Sequence, residues 1–234
     1  MNARILMIVT SSHQMGDTQK PTGLWAEELA VPYYALTDAG ATVTIASTAG
    51  GKTPIDPGSI KPVGQNEPAV DRMLTDQALQ AAINATTSLN HITMQDFDAV
   101  FFPGGHGTMW DLPHDPHVRR LVEDAYAKGK LIASVCHGAA GLVSALRSDG
   151  RPMVEGKRVN SFTDAEEREV GLATVVPFLL ETRLRELGAV FEAADNWHPF
   201  AIQDGPLITG QNPQSSEHVA HLLIKALRVD PLTN

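Results

Sequence analysis

The string Ala133 to Ala140, AlaSerValCysHisGlyAlaAla, holds the chain's single cysteine. A thiol becomes a strong nucleophile once its proton is removed. The apolar run Leu131 to Val135 reads as a buried strand that ends at Cys136, with His137 and Gly138 opening a helix. A sharp strand-to-helix turn would present the thiol, and the amides and dipole of the helix start would favour thiolate. Gly138 would relieve crowding there. A packed structural cysteine is the alternative. His137 follows directly, and adjacency leaves two readings: a base for the thiol, or a helix-start residue pointing elsewhere in the turn.

A second cluster, PheProGlyGlyHisGlyThr from Phe102 to Thr108, ends another apolar run. Gly104 and Gly105 let the backbone pass close to a bound oxygen and turn N–H groups toward it, while His106 and Gly107 complete the loop. The string is either a pocket wall or an ordinary tight turn. It has neither the GlyLysSer/Thr ending of a phosphate loop nor the full dinucleotide fingerprint, so no nucleotide cofactor is expected. Glu27 and Glu28 are adjacent in a helical pattern and face directions about 100° apart, so one of them at most enters a given pocket. The pairs His114/His117 and His218/His221 lie outside any HisGluxxHis pattern and read as surface or structural histidines, and no metal site is expected. Gly205 to Ser216 is a polar turn in which Asn212 and Pro213 either start the last helix or line the pocket. Trp25, Trp110 and Trp197 are too far apart in sequence for a stacking platform, and each either closes an apolar pocket or packs in the core.

These residues need a frame. Ile5 to Val9, Ala41 to Ala46, Phe97 to Phe102 and Lys130 to Val135 read as strands, alternating with helical patterns over Leu24 to Leu36, Thr75 to Asn84 and His117 to Lys128. Gly40 stands where the first helix can end. Further on, Val176 to Leu187 reads as a helix with Pro177 in its first turn and Gly188 as its stop, Ala189 to Ala193 as a strand, Pro206 to Ile208 as a short edge strand, and Gln214 to Leu227 as a final amphipathic helix. The expected fold is α/β: a doubly wound, mostly parallel sheet with helices on both faces, one domain over residues 1–234 with surface excursions around 50–75 and 150–175.

Composition bounds the function. The 234 residues are 43% hydrophobic and 19% charged, which excludes wholesale disorder. A net charge of −9 disfavours a nucleic-acid partner, and no apolar run is long enough to span a membrane. One cysteine excludes a disulfide framework and a thiolate-rich metal centre within one chain, and fits a reducing cytoplasm.

Five strings together resemble the ThiJ/PfpI superfamily, which has a class I glutamine amidotransferase-like (flavodoxin-like) fold, and specifically its larger glyoxalase III-like branch. They are ThrGlyLeuTrpAlaGluGlu at 22–28, GlyGlyHisGlyThr at 104–108, ValCysHisGlyAlaAla at 135–140, the segment from Glu155 to Glu167, and the segment from Asp204 to Ser216. The resemblance covers almost the whole chain. It implies Cys136 as nucleophile, His137 as its associated histidine, Glu28 rather than Glu27 as the pocket carboxylate, and an oxyanion region at Gly105 and the elbow amides, with Gly104, His106 and Gly138 around it. It also implies a glutathione-independent glyoxalase that turns methylglyoxal or a related small 2-oxoaldehyde into a 2-hydroxy acid, D-lactate from methylglyoxal, without cofactor or metal. A homodimer with a stress-related role in aldehyde detoxification is implied as well. A protein or nucleotide deglycase is the alternative enzyme, and a stress-responsive holdase or cysteine redox sensor the alternative of another class. Two departures stand out. GlyAlaAla follows the nucleophile where GlyProAla is common, and ValAsnSerPheThr replaces ValThrGlyPheThr, so Asn160 and Ser161 are expected to alter a pocket rim or partner surface. The later histidine–glutamate arrangement of a glutaminase triad is not evident in the sequence.

Overall fold

A computed structural model describes residues 2–228. In chain order the strands are β1 Arg4–Val9, β2 Thr42–Ser47, β3 Thr87–Ser88, β4 Ala99–Phe102, β5 Leu131–Val135, β6 Arg158–Val159, β7 Val190–Phe191, β8 Ala201–Asp204 and β9 Leu207–Gly210. The helices are α1 Ala26–Asp38, α2 Pro68–Thr75, α3 Gln77–Asn84, α4 Thr108–Asp111, α5 Pro116–Ala127, α6 Asp164–Glu169, α7 Leu180–Glu186 and α8 Ser216–Arg228. Seven strands form the main sheet in the order β3-β2-β1-β4-β5-β9-β8, all parallel except β8, which runs against β9. β6 and β7 pair separately.

Because strand side chains alternate faces, β1 feeds two cores. Ile5, Met7 and Val9 join Leu29 and Ala30 of α1 and Val219 and Leu223 of α8. Leu6 and Ile8 join Val118, Leu121 and Val122 of α5 and Leu184 of α7. Burial on both faces is why these strands read as continuous apolar runs. The chain steps from β1 to β2 on one side and later to β4 on the other, which leaves a crevice above the carboxyl ends of β1 and β4. Asp111 ties the loops there together. It accepts hydrogen bonds from the Thr10 hydroxyl (3.0 Å), the Ser11 N–H (2.8 Å) and the Thr48 hydroxyl (2.8 Å).

The expected doubly wound sheet is present, but several elements differ from expectation. The helix expected from Val176 starts only at Leu180. Pro177 disfavours helical geometry at Val176 and has no N–H to donate, so residues 172–179 wind through turns instead. The strand expected at the edge, around Pro206 to Ile208, is β9. It lies inside the sheet between β5 and β8, and the edge belongs to β8, whose half-polar AlaIleGlnAsp hides its strand character. The helix expected from Thr75 is cut by Asp76, whose carboxylate accepts from the Ala78 and Leu79 N–H groups and so starts α3 afresh. The segments around 50–75 and 150–175 carry α2, β6 and α6. No helix among the described residues is long and apolar enough to cross a membrane.

Candidate active site

Cys136 follows the last residue of β5 with a left-handed backbone, φ 56°, and residues 136–142 continue as a 3-10 helix rather than an α-helix. A β-carbon in this region of φ is crowded against backbone, so the turn persists only because its surroundings fix it. Gly138 shows how close they are: a β-carbon there would run into the carbonyl oxygen of Phe102, at the end of β4. The loop after β4 and the elbow after β5 are also pinned together by Thr108, whose hydroxyl donates to the carbonyls of Gly105 (2.8 Å) and His137 (2.9 Å).

Glu28 lies in the first turn of α1, fully buried, and one carboxylate oxygen accepts from the Gly104 N–H at 2.7 Å. A β-carbon on Gly104 would stand 2.5 Å from that oxygen, so glycine is what admits the carboxyl group. The other oxygen, Glu28 Oε1, makes no hydrogen bond of ordinary geometry, and the Cys136 thiol is its close electrostatic partner. Burial pushes the Glu28 carboxyl well above the usual range, outweighing the thiol and the Gly104 amide, which pull it down. Glu27, half-buried, lines a different cleft with Trp25 and Lys61. Among the two glutamates, Glu28 alone faces the thiol.

On its other side Cys136 Sγ lies 3.3 Å from Nδ1 of His137. The imidazole therefore does not point elsewhere in the turn. Its Nε2 is 2.6 Å from Glu167 Oε2, and Glu167 Oε1 is 2.8 Å from Nε2 of His106. Burial works against ionising Glu167, yet His137 and His106 outweigh it and hold the carboxyl at about 2. Burial, and then the neighbouring His106, lower His137 to about 4. At neutral pH the pair is thus a carboxylate accepting from a neutral imidazole, which assigns the proton to Nε2 and leaves Nδ1 as a base toward the thiol. The sequence reading had no third member for this row. Glu167 stands in one of its quoted strings, next to Glu166 of the Thr163–Glu166 capping box that starts α6, but nothing in spacing alone sets it on His137.

The thiol also differs from expectation. Burial, followed by Glu28, raises Cys136 well above its ordinary value, while the His137 backbone N–H pulls the other way. Burial and Glu28 thus favour the thiol form over the thiolate that the elbow pattern predicts, and the helix that follows is short and 3-10.

These groups open into a cavity of about 90 Å³ lined by Trp25, Glu28, Gly105, His106, Cys136, His137, Phe162, Val170, Trp197 and Pro213. Phe162 lies 4.5 Å from the His137 ring and 5.6 Å from Trp197 between ring centres. Trp25 and Trp197 therefore close the pocket, whereas Trp110 packs against the core. Asn160 and Ser161 are fully buried behind the wall, bonded to Thr209, Phe200 and the Phe162 carbonyl, and do not reach the rim as expected. Asn212 has both expected roles only in part: it bonds Glu166 and the Ser215 hydroxyl in the turn before α8, and its neighbour Pro213 is the residue that reaches the pocket.

His106, His137 and Glu167 also bring three metal-binding atoms within 4.8 Å of one another. Both imidazoles already contact the two Glu167 oxygens at hydrogen-bond spacing, so a zinc ion, which needs each ligand at about 2.0–2.2 Å, would have to replace both hydrogen bonds. His114, His218 and His221 are exposed and form no such group.

Comparison with known proteins places the chain among relatives. The chain is 32% identical to glutathione-independent glyoxalase hsp3101 of Schizosaccharomyces pombe over 216 residues, 87% of each chain. Its fold matches the Rapid Encystment Protein 24 KDa of Francisella tularensis with a TM-score of 0.92 at 39% identity, covering 97% of this chain and 99% of that one. It matches glyoxalase III of Candida albicans with a TM-score of 0.86 at 26% identity, covering 96% and 97%. The pattern of the DJ-1/PfpI family matches residues 22–226, a span that holds Glu28, Cys136, His137 and Glu167 together, and the chain belongs to that family.

Proposed function

We propose that this protein is a glutathione-independent glyoxalase that converts methylglyoxal, or another small 2-oxoaldehyde, to a 2-hydroxy acid, with D-lactate as the product from methylglyoxal. The observation that carries this reading is the buried thiol set between two different proton carriers, buried Glu28 on one side and the His137–Glu167 pair on the other. The similarity to proteins named as glutathione-independent glyoxalases supports it.

In this reading the cycle starts from a protonated Glu28, a Cys136 thiol and a neutral His137, the forms that burial favours. As Cys136 Sγ bonds the aldehyde carbon, its proton passes to Nδ1 of His137, and Glu28 gives its proton to the aldehyde oxygen, forming a hemithioacetal. Glu28, now a carboxylate, takes the hydrogen from that same carbon. The electron pair moves toward the ketone, whose oxygen takes the proton held by His137, giving an enediol. Glu28 then protonates the second carbon while the hydroxyl on the first returns its proton to His137, leaving a thioester. Glu28 finally takes a proton from water as its oxygen adds to the acyl carbon, and the sulfur leaves with the proton from His137. The sum is aldehyde plus water to hydroxy acid, with no net oxidation and every group restored. In this reading the amides of Gly105 and His137 stabilise the oxygen charge that develops. A low-dielectric cavity of about 90 Å³ suits a free three-carbon aldehyde.

The reading includes a reducing cytoplasmic setting, which the lone cysteine fits, and a homodimer. The test is a paired assay without glutathione or added metal. Free methylglyoxal should yield D-lactate, and preformed lysine or arginine adducts should not be processed once an aldehyde scavenger is present. Rapid processing of adducts under scavenging, with no lactate from free aldehyde, would make the protein a deglycase instead.

A further inference from the structure

We infer that Trp197 is a specificity-determining residue that limits the substituent next to the ketone of the substrate to a small alkyl group. The inference rests on the glyoxalase reading and adds to it the size of molecule admitted. Trp197 is one of three non-glycine residues with a left-handed backbone among the described residues, φ 63°, and Cys136 is another. Such a conformation is kept where surrounding contacts over-determine it. Here they do. The Trp197 backbone N–H donates to buried Glu166 at 2.9 Å, and its indole N–H donates to Glu169 at 2.9 Å. Glu169 is itself held by the Asn196 amide at 2.8 Å.

These bonds fix the indole in the wall of the cavity that Cys136 also lines, edge-on to Phe162, which in turn lies against His137. In the glyoxalase reading the two oxygens of a dicarbonyl turn toward Cys136, Glu28 and Gly105, which leaves Phe162, Val170 and Trp197 of the same lining for its substituent. A cavity that accepts a benzene ring has about 150 Å³. About 90 Å³ is smaller than that, and Trp197 bounds it, so an aryl substituent has to extend past the indole or displace it.

The experiment compares methylglyoxal with phenylglyoxal in the wild type, Trp197→Ala and Glu169→Gln, with alkylation of Cys136 by iodoacetamide and by a bulky N-aryl maleimide as a second readout. The phenylglyoxal-to-methylglyoxal ratio of kcat/KM should rise about tenfold or more in Trp197→Ala, chiefly through KM for phenylglyoxal. Glu169→Gln keeps the indole but leaves one acceptor oxygen for the two donors that Glu169 holds, Trp197 Nε1 and Asn196 Nδ2, and should shift the ratio the same way by less. The maleimide-to-iodoacetamide rate ratio should rise in parallel. An unchanged alkylation ratio in folded Trp197→Ala would overturn the inference, as would an unchanged ratio in Glu169→Gln should the alanine variant not fold. A wild type that turns over neither aldehyde while the alkylation ratio still responds to Trp197 would remove the glyoxalase reading and leave Trp197 as the gate to the thiol.

Discussion

Glu28 and His137 both touch the Cys136 thiol environment, but their surroundings push them to opposite tasks. Burial favours the protonated form of Glu28 and the neutral form of His137, whose Nδ1 lies at the sulfur. Replacing each proton carrier should therefore leave a different residue of activity. Glu28→Gln keeps the Gly104 hydrogen bond but cannot shuttle the carbon-bound hydrogen, so turnover should fall about 10²- to 10⁴-fold. Glu167→Gln no longer specifies the His137 tautomer, and should slow thiol alkylation as well as turnover, about 10²-fold or more for the latter. Steady-state kinetics beside iodoacetamide rates separate the two. Equal loss of alkylation in both variants would contradict the division of labour. Cys136 and Glu28 were named as candidates by residue type and resemblance. Glu167 was not, because its partner lies 30 positions away and only the fold brings α6 over the elbow.

At the scale of elements, the site is a seam between the loop after β4, the elbow after β5 and the first turn of α1. Gly138 makes the seam possible, since any side chain there meets the Phe102 carbonyl. Gly138→Ala should cost about 1–3 kcal/mol in unfolding free energy and remove turnover by shifting the elbow, measured by thermal denaturation and kinetics together. A variant with wild-type melting and wild-type rate would show that the elbow does not depend on this contact. Continuous apolar runs made β1, β4 and β5 readable, because a strand buried on both faces leaves no polar gap. β6, β8 and α6 were hidden for the converse reason. Two residues of strand, a half-polar edge and a six-residue acidic helix have too little periodicity to register. Phe162 lies in the loop between β6 and α6 and Trp197 in the turn before β8, so the apolar wall of the pocket comes from stretches with no periodicity to read.

For the molecule as a whole, the buried groups of the site link stability to pH in opposing ways. His137 has a folded value of about 4 against 6.5 unfolded, so its contribution is present above 6.5 and is lost as pH falls toward 4. Glu167, held at about 2, loses its contribution below 4.5. Glu28, raised by burial, does the reverse: its contribution is complete below 4.5 and fades as pH rises. Glu28→Gln removes that last dependence. Its stability relative to the wild type should therefore increase between pH 5 and 7 by up to about 1.4 kcal/mol per pH unit in denaturant titrations. A constant difference across that range would mean that Glu28 is ionised in the folded protein. The central claim concerns Cys136. Its most direct test is the yield of D-lactate per chain from methylglyoxal in chelator-treated protein without glutathione, comparing wild type with folded Cys136→Ala. The expected result is many equivalents of D-lactate from the wild type and none above background from the variant. Loss of methylglyoxal without lactate, or equal lactate from both proteins, would contradict it.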